Sequence, residues 1–172
     1  TRTVVATAND SAGLDLGNIT NSSALESLTF TSAAGAASIL GSVVDAEVVS
    51  TLALSSTGTS SSLTTGAIGG TTASTALGSL TASGNSGSIT SLGAVTSTSS
   101  ALTSLSLQSL GANSELDIQG ALNLGTATVD AMTIKTDPNA ILEFSAVSIT
   151  SGAVTAGTLD FGDFSILRDT GN

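Results

Sequence analysis

A short apolar–x–apolar triplet recurs along the chain at nearly constant spacing, and this repeat limits the possible folds severely. Successive triplets begin 24, 28, 25, 27 and 27 residues apart. They are Leu28–Phe30, Leu52–Leu54, Leu80–Ala82, Leu105–Leu107, Met132–Ile134 and Leu159–Phe161. In a β-strand, the two outer residues of each triplet point to one face and the middle residue points to the other. Regular spacing of similar short strands is typical of coils that stack on one another.

Turn-forming segments and further apolar segments complete each repeat. Ile39 follows Leu28 by 11 positions, as Leu116 follows Leu105, which marks a second strand. Turns are predicted at Ala33–Gly35, Ser56–Gly58, Ser83–Asn85, Gly111–Asn113 and Asp137–Asn139. A third segment begins with Gly and Ala, at Gly66–Ile68, Gly93–Val95, Gly120–Leu122 and Gly152–Val154. Three strands joined by turns describe one coil of a solenoid.

The repeat therefore predicts an all-β parallel β-solenoid of about six coils, each of 24–28 residues. The whole chain, residues 1–172, is expected to form one domain. Residues 1–23 form the N-terminal strand and a first partial coil, 24–158 the repeated coils, and 159–172 a terminal coil and tail. A β-sandwich is the alternative, because it also has short strands with a turn every ~8–12 residues.

The composition agrees with thin stacked layers and excludes several kinds of partner. The chain is 40% hydrophobic yet has no Trp, Tyr or Cys, so Leu, Ile, Val and Ala must fill the interior. The net charge is −10, with only Arg2, Lys135 and Arg168 as basic residues. Nucleic acid is excluded as a partner, because phosphate binding requires clustered basic side chains. Membrane insertion is not expected either, since no apolar run approaches ~18 residues.

The residues that usually carry catalysis are missing or isolated. Without His or Cys, the chain has no imidazole base and no thiol nucleophile. Lys135 is the only side-chain amine, and we interpret it as a surface ion pair with Asp137. The close carboxylate pairs that glycoside hydrolysis would need are Asp160 with Asp163 and Glu115 with Asp117. Aromatic platforms for sugars are lacking, so we expect no enzyme activity.

A cofactor is not expected, although three aspartates near the C-terminus are weak candidates for metal ligands. Oxygen ligands suit Ca²⁺, and Asp160, Asp163 and Asp169 are weak candidates for such a site. The glycine- and aspartate-rich nonapeptide of calcium-binding repeats, G-G-x-G-x-D, is absent. We interpret these carboxylates as solvated surface groups.

The two ends of the chain predict an assembly surface. Thr3–Ala8 and Phe164–Leu167 each read as a strand, and Leu14–Ile19 is similar in sequence to Leu159–Phe164. If both similar segments are edges of one repeat, the last coil of one molecule seats the first coil of the next, which builds a fibre. Strand addition by the N-terminal segment is the other possibility. The predicted interface residues are Val4, Val5, Leu14, Leu16, Phe161, Phe164, Ile166 and Leu167.

The segment Leu116–Gly125, with sequence LDIQGALNLG, resembles those of exported bacterial and archaeal surface β-solenoids, including adhesin passengers and surface-layer proteins. The resemblance extends over residues 24–165 and implies export together with a scaffold or adhesion role. The chain begins with Thr1 rather than Met, which we interpret as removal of an export signal.

These observations favour a structural subunit of an extracellular filament, sheath or surface layer that binds other copies of itself head to tail. A repeat segment of a larger cell-surface adhesin is the alternative. An ice-binding protein is a minor alternative, because hydroxyl-rich solenoids can present flat Thr arrays. Among the outward residues of the triplet strands, however, Thr29 and Thr31 form the only Thr-x-Thr pair.

Overall fold

The protein is a parallel β-solenoid, as the repeat predicts. The structure is a computed structural model that describes residues 2–9, 11–20, 24–44, 49–69, 77–97, 102–125, 128–149, 153–161 and 166–169. In chain order the strands are β1 (Thr3–Ala8), β2 (Ile19–Thr20), β3 (Ser27–Ala33), β4 (Ala37–Leu40), β5 (Val43–Val44), β6 (Thr51–Thr57), β7 (Ser62–Thr65), β8 (Ile68–Gly69), β9 (Ser79–Asn85), β10 (Ile89–Leu92), β11 (Val95–Thr96), β12 (Ser104–Leu110), β13 (Glu115–Gly125), β14 (Thr128–Val129), β15 (Ala131–Thr136), β16 (Ile141–Ile149), β17 (Ala153–Val154), β18 (Gly157–Phe161) and β19 (Ile166–Asp169).

Two parallel sheets form the wall of the solenoid. The first sheet contains seven strands in the order β1-β3-β6-β9-β12-β15-β18. In the second sheet, three coils each contribute two short consecutive strands, namely β4 and β5, β7 and β8, and β10 and β11. The next two coils each contribute one long strand in their place, β13 and β16. The predicted second and third segments of each coil therefore belong to one sheet. The strands β14 and β17 pair with each other in a separate two-stranded sheet. Val154 belongs to β17, whereas the repeat predicted that it lies in the same sheet as Gly120–Leu122.

The inner columns of the first sheet follow the predicted triplets except in the last coil. Leu28, Leu52, Leu80 and Leu105 are adjacent across successive strands and are each at most 1% exposed. Met132 follows them in this column. The next residue in the column is Gly157, and Leu159 instead pairs with Ile134. The predicted alignment of Leu159 with Met132 is therefore wrong by two residues. A shift of two keeps every side chain on the same face, so alternation alone does not detect it.

Turns between the two sheets use residues with positive φ. Gly35, Gly58 and Gly111 have φ values of 81°, 88° and 83°, a region that glycine adopts without strain. Four of the five predicted turns overlap turns or bends in the structure, although Ser56–Gly58 does so only at Gly58, since Ser56 and Thr57 belong to β6. The exception is Ser83–Asn85, which lies inside β9, and the bend follows at Ser86 and Gly87.

A column of small buried residues lies on the inner side of the turns that connect the first sheet to the second. It consists of Ser32, Ser56, Gly84, Ser109 and Thr136, one from each successive strand of the first sheet. Ser109 Oγ lies 2.9 Å from Ser114 Oγ in the same coil. In the next coil Ala140 occupies the position of Ser114, because Ile141 pairs with Glu115. Thr136 Oγ1 is consequently buried without a hydrogen-bond partner among the described residues.

Replacing Thr136 by valine is expected to stabilise the fold by about 1 kcal/mol, because it removes a buried hydroxyl that has no partner in the described part of the chain and keeps the side-chain shape. Ser109→Ala is the matched change in the same column and should destabilise the fold by about 1 kcal/mol, since the hydrogen bond between Ser109 and Ser114 is lost while Ser114 keeps its bond to the Gly111 carbonyl. Urea unfolding followed by far-ultraviolet circular dichroism measures both. If Thr136→Val were less stable than the wild type, the claim that the Thr136 hydroxyl makes no hydrogen bond in the folded protein would be contradicted.

Candidate assembly surface at the ends of the solenoid

The N-terminal end exposes a strand edge. Within the described ranges β1 pairs with β3 only. The carbonyl of Arg2 accepts hydrogen bonds from the N–H groups of Glu26 and Ser27, so Arg2 faces β3. Backbone groups alternate in direction along a strand, and the N–H and C=O groups of Thr3, Val5 and Thr7 therefore point away from β3. This row of donors and acceptors is a template for another parallel strand.

Apolar side chains accompany this edge. Val4 is 43% exposed although it lies in the inner column with Leu28, and Val5 on the outer face is 68% exposed. Leu14 and Leu16 are partly buried against the hydrophobic core. The predicted interface residues of the first coil thus lie at one end of the solenoid, with the two valines more exposed than the two leucines.

The C-terminal end has the complementary edge. The N–H of Met132 donates to the carbonyl of Ala156, so Ala156 faces β15. By the same alternation, the backbone groups of Gly157, Leu159 and Phe161 in β18 point away from β15. In the second sheet, Ile166 and Leu167 of β19 pair with Ile141 and Leu142 of β16.

Several predicted interface side chains fall outside the described part of the structure. Phe164 lies outside it entirely, and of Phe161, Ile166 and Leu167 only the backbone is described. Their part in an interface stays a prediction.

The two segments that are similar in sequence do not occupy equivalent positions. Asp15 forms a parallel bridge with Ile39, which places Leu14–Leu16 beside the second sheet. Leu159–Phe161 belongs to β18 in the first sheet. The predicted equivalence is therefore wrong, because similar short apolar patterns serve both sheets. The structural counterparts are β1 with β18, and the segment around Asp15 with β19.

A charged cluster joins the last coils on the outer face of the first sheet. Lys135 Nζ lies 3.7 Å from Asp137 Oδ1 and 3.4 Å from Asp160 Oδ2. Asp137 Oδ2 also accepts a hydrogen bond from the N–H of Gly111 at 2.9 Å. The predicted ion pair with Asp137 is present, and Asp160, 57% exposed, is a second partner that the sequence did not indicate. These contacts connect three successive coils across their outer surface.

The aspartates considered for calcium do not form a described cluster. Asp160 faces Lys135, Asp163 lies outside the described residues, and the side chain of Asp169 is not described. Across the described ranges, there is no group of three or more residues with metal-binding side chains. The three weak calcium candidates therefore have no described geometry that brings them together.

Two carboxylates of neighbouring coils face each other on the second sheet. Asp117 pairs in register with Glu143, and both side chains are half-buried. Burial raises the pKa of the Asp117 carboxyl above its ordinary value. A side-chain hydrogen bond from Gln119 opposes this rise in pKa, whereas the charge of Glu143 adds to it. The charge that acts on the pKa of Asp117 is therefore that of Glu143 in the neighbouring coil, a contact that the sequence spacing did not reveal.

Asp117→Asn is expected to stabilise the protein at pH 7 and to have a smaller effect as the pH falls. A carboxyl with a raised pKa in the folded state binds its proton more tightly there, so its ionisation lowers stability as the pH rises. Urea unfolding at pH 7 and at about pH 3, where carboxylates are largely protonated, measures the change. Asp130→Asn, at an exposed position, is the control. A stability gain that is independent of pH would contradict this account.

In the described part of the chain, no helix has the length and apolar character needed to cross a membrane. Comparison of the chain with protein families, with curated proteins and with solved structures finds no match.

Proposed function

We propose that this protein is a non-catalytic structural subunit of an extracellular filament, sheath or surface layer, which assembles head to tail through its terminal coils. The observation that carries the proposal is the edge of β1, where backbone groups point outward beside the exposed side chains of Val4 and Val5. Soluble proteins usually block such edges with charged residues, proline or a covering segment, because an open edge recruits other strands.

The properties of the solenoid wall support a scaffold role. Aliphatic columns hold each coil to its neighbours, and the outer face of the first sheet has mainly Ser, Thr and Ala from β3 to β9. A chain without His or Cys has few means of catalysis. Export to the cell surface is part of the proposal and rests on the resemblance to exported surface solenoids.

The alternative function is a repeat segment of a larger adhesin, in which the neighbouring coils would belong to the same chain. The open edges of β1 and β18 are compatible with both functions. Self-assembly of the isolated chain distinguishes them, because only a self-assembling subunit requires the two edges to bind each other.

Val5→Pro is the variant that tests the proposal. The Val5 N–H points away from β3, so proline removes an edge donor without removing a hydrogen bond between β1 and β3. Wild-type protein is expected to form fibres of constant width in negative-stain electron microscopy over a concentration series. Val5→Pro should remain monomeric by light scattering while keeping the wild-type circular dichroism spectrum.

Ile89→Lys is the matched control, because Ile89 is an exposed apolar residue, 44% accessible, on the wall of the solenoid. This variant should form fibres like the wild type. Wild-type protein that stays monomeric at every concentration would exclude the filament proposal and favour the adhesin segment.

A further inference from the structure

We propose that one copy seats its first coil on the last coil of another in a single register, with Val5 beside Thr158 and Asp15 beside Arg168. This inference rests on the proposed head-to-tail assembly and specifies the partner surface. The proposed joint adds a strand to both sheets at once, as each coil within the chain does.

The lengths of the terminal coils allow both sheets to pair at the same time. Val5 belongs to the outer column of the first sheet that ends at Thr158, and Asp15 to the column of the second sheet that ends at Arg168. From Val5 to Asp15 is 10 residues (15 − 5), and from Thr158 to Arg168 is also 10 (168 − 158). One offset of 153 residues (158 − 5 and 168 − 15) therefore aligns both strands.

This agreement is not shared by every coil. In the coil that begins with β6, the corresponding residues Ala53 and Thr64 are 11 apart (64 − 53). The preceding coil has 10 residues (39 − 29) between the same positions, Thr29 and Ile39, and still pairs in register in both sheets, so the turn between the sheets takes up the extra residue. The first and last coils have equal spacing, so the proposed joint does not require even this adjustment of a turn.

The backbone donors and acceptors that point outward on the two edges also fit each other in this register. In the proposed register, the Val5 N–H donates to the Gly157 carbonyl, and the Val5 carbonyl accepts from the Leu159 N–H. These are groups that point outward on β1 and β18. The pattern repeats that of β1 with β3, where the Arg2 carbonyl accepts from Ser27, the partner of Thr3.

Charge complementarity favours this register over neighbouring ones. The outer column of the second sheet ends with Asp117, Glu143 and Arg168, and Asp15 of the next copy would follow directly. Arg168 is one of only three basic residues in the chain, and Asp15 is exposed. Only the backbone of Arg168 is described, and its register position places it in this column. Adjacent strands lie ~4.8 Å apart, so neighbouring positions of one column allow an ion pair between residues of opposite charge. Such a surface pair contributes little affinity but helps to specify the register.

Disulfide trapping tests the register directly, because the chain has no cysteine. Val5→Cys combined with Thr158→Cys places the two Cα atoms ~4.8 Å apart, within the ~4.4–6.8 Å that a disulfide spans. Both side chains are exposed, so the variant should fold normally. Under mild oxidation, a ladder of covalent multimers is expected on a non-reducing gel, and a reductant should return it to monomer.

Two control pairs limit the interpretation. Val5→Cys with Thr133→Cys moves the second cysteine one strand away from the joint, and Val5→Cys with Asp160→Cys moves it two residues along β18. Both should give only background cross-linking. Fibres in the microscope without cross-linking of Val5→Cys/Thr158→Cys would overturn the register and leave the proposed function standing. Dimers of the Val5→Cys single variant would also overturn it, because they indicate two N-terminal ends in contact.

The ion pair has a separate test with a charge exchange. In the cysteine background at low salt, Asp15→Arg or Arg168→Asp alone should slow cross-linking by up to about fivefold. The double exchange should restore the rate. Equal rates for all three variants would overturn the assigned pair of Asp15 with Arg168.

Discussion

Gly93→Ala is expected to destabilise the protein by about 3 kcal/mol or more, because there is no room for a methyl group where the second sheet bends. A Cβ at this position would lie 2.6 Å from both the carbonyl carbon and the carbonyl oxygen of Gly66, and 2.9 Å from the nitrogen of Ala67. All three atoms are backbone of the preceding coil and have no rotamer with which to move away. The two coils would have to separate.

Separation at this point would break hydrogen bonds between the coils. The Gly93 N–H donates to the Thr65 carbonyl at 3.1 Å, and the Ile68 N–H donates to the Ala94 carbonyl at 2.8 Å. Urea unfolding monitored by far-ultraviolet circular dichroism measures the loss, since the chain has no Trp or Tyr to provide a fluorescence signal. Domains have only ~5–15 kcal/mol of stability, so the expected loss is a large fraction of the total.

Gly157→Ala is the matched control for the glycine substitution. A Cβ there would meet Val154 Cγ1 at 3.6 Å and the Met132 carbonyl oxygen at 3.9 Å, which are ordinary contacts. The change should alter stability by less than about 0.5 kcal/mol. If Gly93→Ala and Gly157→Ala lowered the free energy of unfolding equally, the close approach of the preceding coil would not be the reason that glycine is needed at position 93.

Leu80→Ala is expected to cost about 3 kcal/mol by leaving a cavity in the middle of the inner column. Leu80 is fully buried and lies between Leu52 and Leu105, which are also buried. Each coil contacts only its neighbours, so a defect in a middle coil weakens the connection between the two halves of the solenoid. We expect the unfolding transition to broaden as well as to shift to lower urea concentration.

Ile89→Ala is the control for the cavity, because Ile89 belongs to the same coil but is 44% exposed. Its loss should stay below about 1 kcal/mol. A Leu80→Ala protein with the stability of Ile89→Ala would show that the aliphatic columns are not the main source of cohesion between coils.

The sequence was sufficient to predict the parallel solenoid, the β1 strand and the inner columns through Met132. These features depend on local periodicity, since alternation determines which side chains enter the core and regular spacing indicates stacking. The same reasoning predicted the Lys135–Asp137 contact, because those residues are two positions apart in one coil.

Only the tertiary structure decided which residues of successive coils are adjacent. Asp117 faces Glu143, Gly157 follows Met132, and Ala140 leaves Thr136 without a partner among the described residues. Each of these contacts depends on the number of residues that the intervening turns consume, and a gain or loss of two leaves the apolar alternation unchanged. Hydrophobic patterning therefore determined the face that each side chain occupies, whereas backbone pairing between whole coils determined its neighbour.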